Sequence, residues 1–301
     1  MPSPAMQERI SAIRAMREAA AGQPPPTLAQ TRADFDARSE LYPLPDDVTV
    51  TAVDAGGVPA HWLAAPGAAG GRVLMYLHGG GYQIGSLRSH ADLAARLGRA
   101  SGARVLFPEY RLAPEHPFPA AAADALAAWR WLRTAQGFPA QAVAVAGDSA
   151  GGGLAVAMMA ALAGSGDDVP AAAVLMSPWT DLSCSGASIR ERDGEDPLFS
   201  PDMLRQLAAV YLAGADPRTP LASPLFGRLA GLPPLLIQAG TAELLLSDSE
   251  ELAKAAAAAG VDVTLELGEG LPHVYPGMAG TPEAAAATGQ AGAFLREKLR
   301  P

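Results

Sequence analysis

Ala142-Val143-Ala144-Val145-Ala146-Gly147-Asp148-Ser149-Ala150-Gly151-Gly152-Gly153-Leu154-Ala155-Val156-Ala157-Met158-Met159 decides the fold. Its first five residues are small or β-branched with no polar alternation, the pattern of a strand buried on both faces of a parallel sheet. From Gly152 to Leu162 the chain is apolar throughout, long enough for a buried helix. Between them, Gly147-Asp148-Ser149-Ala150-Gly151 has the Gly-x-Ser-x-Gly form of a sharp strand-to-helix turn, with the serine at the positive end of a helix dipole. Small neighbours are needed because the turn is strained and added Cβ atoms would collide. The pattern alone is weak: with 32 Gly and 16 Ser in 301 residues, chance supplies it roughly 0.2 times. Its place between a strand and a helix gives it weight.

On either side, strands and helices alternate. Asp47–Asp54 and Val58–Ala64 read as a hairpin turning at Ala55-Gly56-Gly57. Further strands are predicted at Val73–Leu77, Arg104–Pro108, Ala142–Ala146, Ala172–Met176, Leu235–Ala239 and Val261–Leu267. Helices are predicted near Ser89–Ala100, Ala120–Thr134, Ala150–Gly164, Ser249–Ala259 and Glu283–Lys298. Such alternation implies a mostly parallel sheet with helices on both faces, made mixed by the hairpin at its start. About 58 residues separate Met176 from Leu235, too many for an ordinary connection. This segment carries a predicted helix over Asp202–Ala213, with Pro201 at its start. It is expected to fold over the carboxyl edge of the sheet together with an amphipathic N-terminal helix within Met1–Gln23.

The expected organisation is one discontinuous domain, with a core of residues 45–184 and 214–301 and a cap of residues 1–44 and 185–213. The net charge of −9 argues against a nucleic acid or an anionic membrane surface as partner. No signal peptide is legible and no apolar run reaches the roughly 18 residues of a membrane span. The single cysteine, Cys184, excludes an internal disulfide, fits a reducing compartment and reads as a small residue in a loop rather than a redox centre. A cytoplasmic protein is the expectation.

The strand Val73–Leu77 runs into His78-Gly79-Gly80-Gly81, where consecutive glycines can turn backbone N–H groups toward a substrate oxygen. A dinucleotide loop does not fit, because the third glycine of Gly-x-Gly-x-x-Gly would fall on Ile84. No Cys/His cluster points to a metal, and His116 beside Glu115 is a lone pair. A serine hydroxyl needs a base, and the base needs an acid to hold its tautomer. On this topology the order is Ser, acid, His. Of the five histidines, only His273 follows Ser149. The acid should follow the strand Leu235–Ala239, where Glu243 comes first and Asp248 second, with Ser247 or Asp248 able instead to cap the next helix.

The chain resembles the hormone-sensitive-lipase-like family of α/β hydrolases, the bacterial esterases marked by an HGGG loop and a GDSAGG elbow. The resemblance covers residues 45 to 300 and includes His78–Tyr82, Phe107–Pro119, Gly147–Gly153, Ser177–Leu182 and Ser223-Pro224-Leu225. It implies an α/β-hydrolase fold with a mostly parallel central sheet, flanking helices and a helical cap. It further implies Ser149 as nucleophile, His273 as base, and the N–H groups of Gly80, Gly81 and Ala150 as oxyanion hole. His78 and Gly79 would shape the glycine loop and Asp148 would support the elbow. The acid of many relatives lies in Asp-Pro-Leu; here Glu243-Leu244-Leu245 takes that place.

The expected activity is hydrolysis of short- to medium-chain carboxylic esters through an acyl-enzyme, without cofactor or metal. Tyr82, Phe199, Met203, Tyr211 and Val274 are the expected pocket residues. Amide, lactone or N-acyl hydrolysis would use the same residues. A non-catalytic binding protein, as in the plant gibberellin receptors that lack the histidine, is disfavoured by His273. Epoxide or halide chemistry would want Asp in place of Ser149. A homodimer through the edge strand Val261–Leu267 is also expected.

Overall fold

The computed structural model describes residues 1–300, with the backbone only for Ala69; residue 301, the end of the expected second core segment, lies outside the described residues. Eight strands form one sheet: β1 (Thr49–Asp54), β2 (Pro59–Ala64), β3 (Ala69–Leu77), β4 (Ala103–Pro108), β5 (Val143–Asp148), β6 (Ala173–Met176), β7 (Leu235–Gly240) and β8 (Val263–Gly268). Their spatial order is β1-β2-β4-β3-β5-β6-β7-β8. The β1/β2 and β2/β4 pairs are antiparallel and the remainder parallel. The chain thus starts on one side of the sheet and crosses to β8 on the other.

Every residue of β5, β6 and β7 is buried, which explains their mostly apolar sequence; the buried Gln238 of β7 donates to Glu266 and to Ala287 O. Alternate residues serve two cores, since successive side chains of a strand point to opposite faces. Val73, Met75 and Leu77 of β3 join one cluster, while Leu74 and Tyr76 join the other. The first cluster is covered by α5 (Ala120–Thr134), α6 (Ala150–Ser165) and α9 (Leu246–Ala258). The second is covered by α4 (Leu87–Ser101) and α10 (Pro282–Lys298), which pack on each other. Ser86 caps α4 by accepting from Arg88 N, and Gly102 ends it in the left-handed conformation at φ 70°.

Three elements begin at residues other than those predicted. β3 begins at Ala69 rather than Val73, and its register against β4 shifts between those residues. That bulge hides the early part of the strand from a period-two reading. β8 begins at Val263, since residues 259–262 form the turn after α9, with Val261 N donating to Ala256 O. α9 begins at Leu246, three residues earlier than predicted, and neither Ser247 nor Asp248 caps it. Both lie inside its first turn.

The remaining helices lie outside the layered core. α1 (Pro4–Ala20), α2 (Leu28–Asp36) and α3 (Arg38–Leu41) precede the sheet. α7 (Ser188–Glu191) and α8 (Pro201–Leu212) occupy the long connection from β6 to β7. Ser200 caps α8, accepting from Met203 N with Pro201 in the first turn. α1 is tied to this connection: Arg14 donates to Glu195 O, and Arg17 donates to Asp196 O at 2.9 Å and Phe199 O at 3.2 Å. Its other end is held by Ser3, whose N–H and hydroxyl both donate to Glu283 at the start of α10. Arg32 on α2 grips Glu115 through two bonds of 2.7 Å and also donates to Gln83 O, beside the glycine loop. No helix among the described residues is long and apolar enough to cross a membrane.

Candidate active site

Ser149 stands between the last residue of β5 and the first of α6, at φ 53° and ψ −122°. A non-glycine residue there carries strain of about 1–3 kcal/mol, which the surroundings must hold. Ser149 N donates to Met176 O at 2.8 Å, while its carbonyl accepts from Gly153 N and Trp179 N. A Cβ at Gly147 would strike the backbone of Gly151, and one at Gly151 the carbonyls of Leu77 and His78. The turn is therefore possible only with glycine at both flanking positions.

The glycine loop follows the neighbouring strand, β3. Gly80 and Gly81 adopt φ 113° and 60°, so their N–H groups can face away from the sheet. Neither N–H, nor that of Ala150, donates to a protein acceptor among the described residues. Asp148 anchors the loop, with Oδ1 accepting from Gly79 N at 3.0 Å and from the Tyr76 hydroxyl at 2.6 Å. Burial pushes the Asp148 carboxyl up, but His90, Tyr76 and His78 outweigh this and hold it at about 2. His78 braces the other side: Nδ1 lies 2.7 Å from Gly79 O, its carbonyl accepts from the Tyr110 hydroxyl, and its ring stacks on Tyr110. Burial, then His90, push His78 down to about 3, so the ring is neutral and Nδ1–H donates to the carbonyl.

His273 reaches the same place from the loop after β8. Its Nδ1 lies 3.5 Å from Glu243 Oε1, and its Nε2 is buried without a protein partner. Burial disfavours the charged imidazolium, yet Glu243 more than offsets this, and the net effect raises the His273 pKa. Glu243 is itself held, with Oε2 accepting from the Ser177 hydroxyl at 2.8 Å and Gly240 N at 3.0 Å. The Ser177 oxygen accepts in turn from Val274 N at 3.0 Å. Ser177 thus joins the loop of Glu243 to the loop of His273. Ser149, His273, Gly80 and Gly81 all line one cavity of about 520 Å³.

The profile of a family described as alpha/beta hydrolase fold matches residues 74–277. The crystal structure of an esterase from the bacterial hormone-sensitive lipase family aligns with TM-score 0.94 and 43% identity over 100% of both chains. The chain belongs to the hormone-sensitive-lipase-like family of α/β hydrolases. An acetyl-hydrolase of Streptomyces hygroscopicus is 48% identical to this family member over 276 residues, covering 90% of this chain and 89% of its own. An ethyl acetate hydrolase of Pseudomonas putida is 37% identical over 241 residues, covering 76% of this chain and 74% of its own.

Asp248, the second acid after β7 in this hormone-sensitive-lipase-like chain, has a different environment from Glu243. Its Oδ2 accepts from Thr180 N at 2.7 Å and Asp181 N at 2.8 Å, pinning the segment after Ser177. Burial pushes its carboxyl up to about 8 against the pull of those donors. A carboxyl whose native pKa exceeds its unfolded value binds its proton more tightly when folded. The stability it contributes is then full below about pH 3.8 and lost as pH rises through about 8. Asp248→Asn keeps an oxygen for the two N–H groups and removes the titration. The parent's urea midpoint is expected to fall from pH 4 to pH 8 more steeply than the variant's, and equal slopes would refute this account.

Of the expected pocket residues, Phe199 and Val274 line the cavity, and the Phe199 ring meets His273 edge-on at 5.1 Å. Tyr82 and Tyr211 do not line it; they are buried and stacked on each other at 3.7 Å. Met203 turns to solvent, 43% exposed, while Leu204 and Leu207 on the inner side of α8 face the cavity. On the helical period 203 sits at the edge of the face formed by 204, 207 and 208, beside 207, so its exposure depends on how the helix docks. Cys184 is buried, and burial pushes its thiol up to about 12, so it is inert.

Three residues of the site carried no role in the sequence reading. His90, on α4, brings Nε2 to 3.5 Å from Asp148 Oδ2. Ser177 was visible only as part of a motif. Asp196 accepts from Leu198 N and Phe199 N through Oδ1 and from Leu244 N through Oδ2, tying the β6–β7 connection to the loop of Glu243.

Proposed function

We propose that this carboxylic ester hydrolase is a serine esterase that cleaves short- to medium-chain esters with Ser149 as nucleophile, His273 as base and Glu243 as the acid that orients it. The observation carrying this reading is the buried, unpartnered Nε2 of His273, on the cavity that also holds Ser149, with Nδ1 facing Glu243. Ser149 Oγ attacks the ester carbonyl as His273 Nε2 takes its proton. The oxyanion of the tetrahedral intermediate accepts from the free N–H groups of Gly80, Gly81 and Ala150. Collapse expels the alcohol, which receives the proton from His273. Water, deprotonated by the same nitrogen, then attacks the acyl-enzyme and releases the acid and Ser149.

Residues 1–44 and 185–213 act as a cap over a core of residues 45–184 and 214–301. The bonds from Arg14 and Arg17 to residues 195–199 support that division. Pairing of two copies along β8 is supported by its place at the end of the sheet and by Leu267, 43% exposed. The short- to medium-chain range is supported by a cavity of about 520 Å³ roofed by Leu204, Leu207 and Phe199. Hydrolysis of p-nitrophenyl esters from acetate to palmitate tests it, with kcat/KM expected to fall steeply beyond medium chains. Equal rates across the series would remove the chain-length assignment, and no turnover at all would remove the esterase.

A further inference from the structure

The cavity is apolar through most of its lining, but two guanidinium groups, Arg17 and Arg38, lie on its wall. The carboxylates that share this wall already have partners. Asp92 pairs with Arg96 at 2.9 Å, and Asp148 is held by Tyr76, Gly79 N and His90. The two cations are not matched in this way. Among the described residues the Arg17 guanidinium donates only to the backbone carbonyls of Asp196 and Phe199. Arg38 lies 4.8 Å over the face of Phe35, and its guanidinium makes no hydrogen bond or ion pair with the described residues. It is half-buried, and Phe35 continues the wall to His90 at 5.7 Å and so toward Asp148 and the elbow. In a chain of net charge −9, this is a local cationic site on the cavity of an ester hydrolase.

We propose that Arg38, supported by Arg17, is an anion subsite, and that the enzyme takes esters bearing a carboxylate remote from the scissile carbonyl. This rests on the serine-esterase reading above. A guanidinium presents a planar pair of donors that a carboxylate accepts bidentately, and the Phe35 ring lies 4.8 Å from this one. The apolar side chains that line the cavity shared by Arg38 and Ser149 suit the methylenes linking carboxylate to ester. Partial removal from water strengthens the ion pair relative to one in bulk solvent.

Matched ester pairs test this. p-Nitrophenyl hydrogen glutarate against p-nitrophenyl valerate places the charge in the acyl half; 4-acetoxybutanoate against butyl acetate places it in the alcohol half. For one pair, the anionic-to-neutral ratio of kcat/KM is expected to fall roughly tenfold in Arg38→Ala at low ionic strength. Arg38→Lys should restore part of it, and salt should narrow the difference. Unchanged ratios for both pairs in Arg38→Ala would overturn the subsite. Calorimetry of glutarate binding to Ser149→Ala gives a reading free of turnover. Binding lost on adding Arg38→Ala supports the subsite; binding indifferent to Arg38, or absent, refutes it. Turnover of the neutral esters that survives Ser149→Ala would instead sink the serine-esterase reading, leaving glutarate binding to decide the subsite.

Discussion

Ser149→Ala is expected to leave a folded protein whose ester turnover is lower by roughly 10⁵–10⁶-fold. The hydroxyl is the only group removed, and no protein hydrogen bond recorded for the turn depends on it: the backbone of Ser149 makes its bonds to Met176, Gly153 and Trp179. Alanine has the same Cβ, so the cost of the left-handed φ of 53° is already met in the parent. Without Oγ no acyl-enzyme forms. A residual rate above that in water should remain, because the N–H groups of Gly80, Gly81 and Ala150 can still polarise a carbonyl for attack by water. Steady-state kinetics beside a thermal melt checks both halves. A variant that melts with the parent and keeps appreciable turnover would end the assignment of the nucleophile.

Glu243→Gln is expected to lower kcat by about 10³–10⁴-fold with little change in KM. The amide is nearly isosteric and retains an oxygen for Ser177 and Gly240 N. Its NH2 group, however, turned toward His273 Nδ1, favours the tautomer that puts the proton on Nε2, where it cannot accept from Ser149. The pH profile supplies a second readout. The Glu243 charge raises the His273 pKa against the effect of burial, and the base works only when deprotonated. The acid limb of kcat/KM should therefore move to lower pH when the charge is removed. Asp248→Asn, by contrast, leaves the partner of His273 in place and should leave that limb where it was. If Asp248→Asn moved the limb and Glu243→Gln did not, the two acids would have to exchange roles.

Much of this was legible because it is local or periodic. The elbow is legible from five residues together with the apolar strand before them and the apolar helix after, since its backbone tolerates little besides Gly-x-Ser-x-Gly. The central strands announce themselves because burial on both faces leaves few polar positions. The glycine loop and the elbow meet because β3 and β5 are adjacent and parallel, with Leu77 opposite Gly147. The start of β3, the start of α9 and the outward face of Met203 were not legible. A bulge, an uncapped helix and the choice of docking face are set by neighbours far away in sequence.

The same separation holds within the site. By itself the sequence determined the layered fold, the position and strain of Ser149, and the short list of acids and bases that could serve it, because each follows from backbone sterics, hydrophobic period or chain order. Tertiary structure alone decided which carboxylate faces His273, that Ser177 joins their two loops, that His90 backs Asp148, and that Arg17 and Arg38 reach the cavity without a carboxylate partner. Those contacts join residues tens to nearly two hundred positions apart. Each is a matter of a few ångströms between side chains whose elements had first to pack.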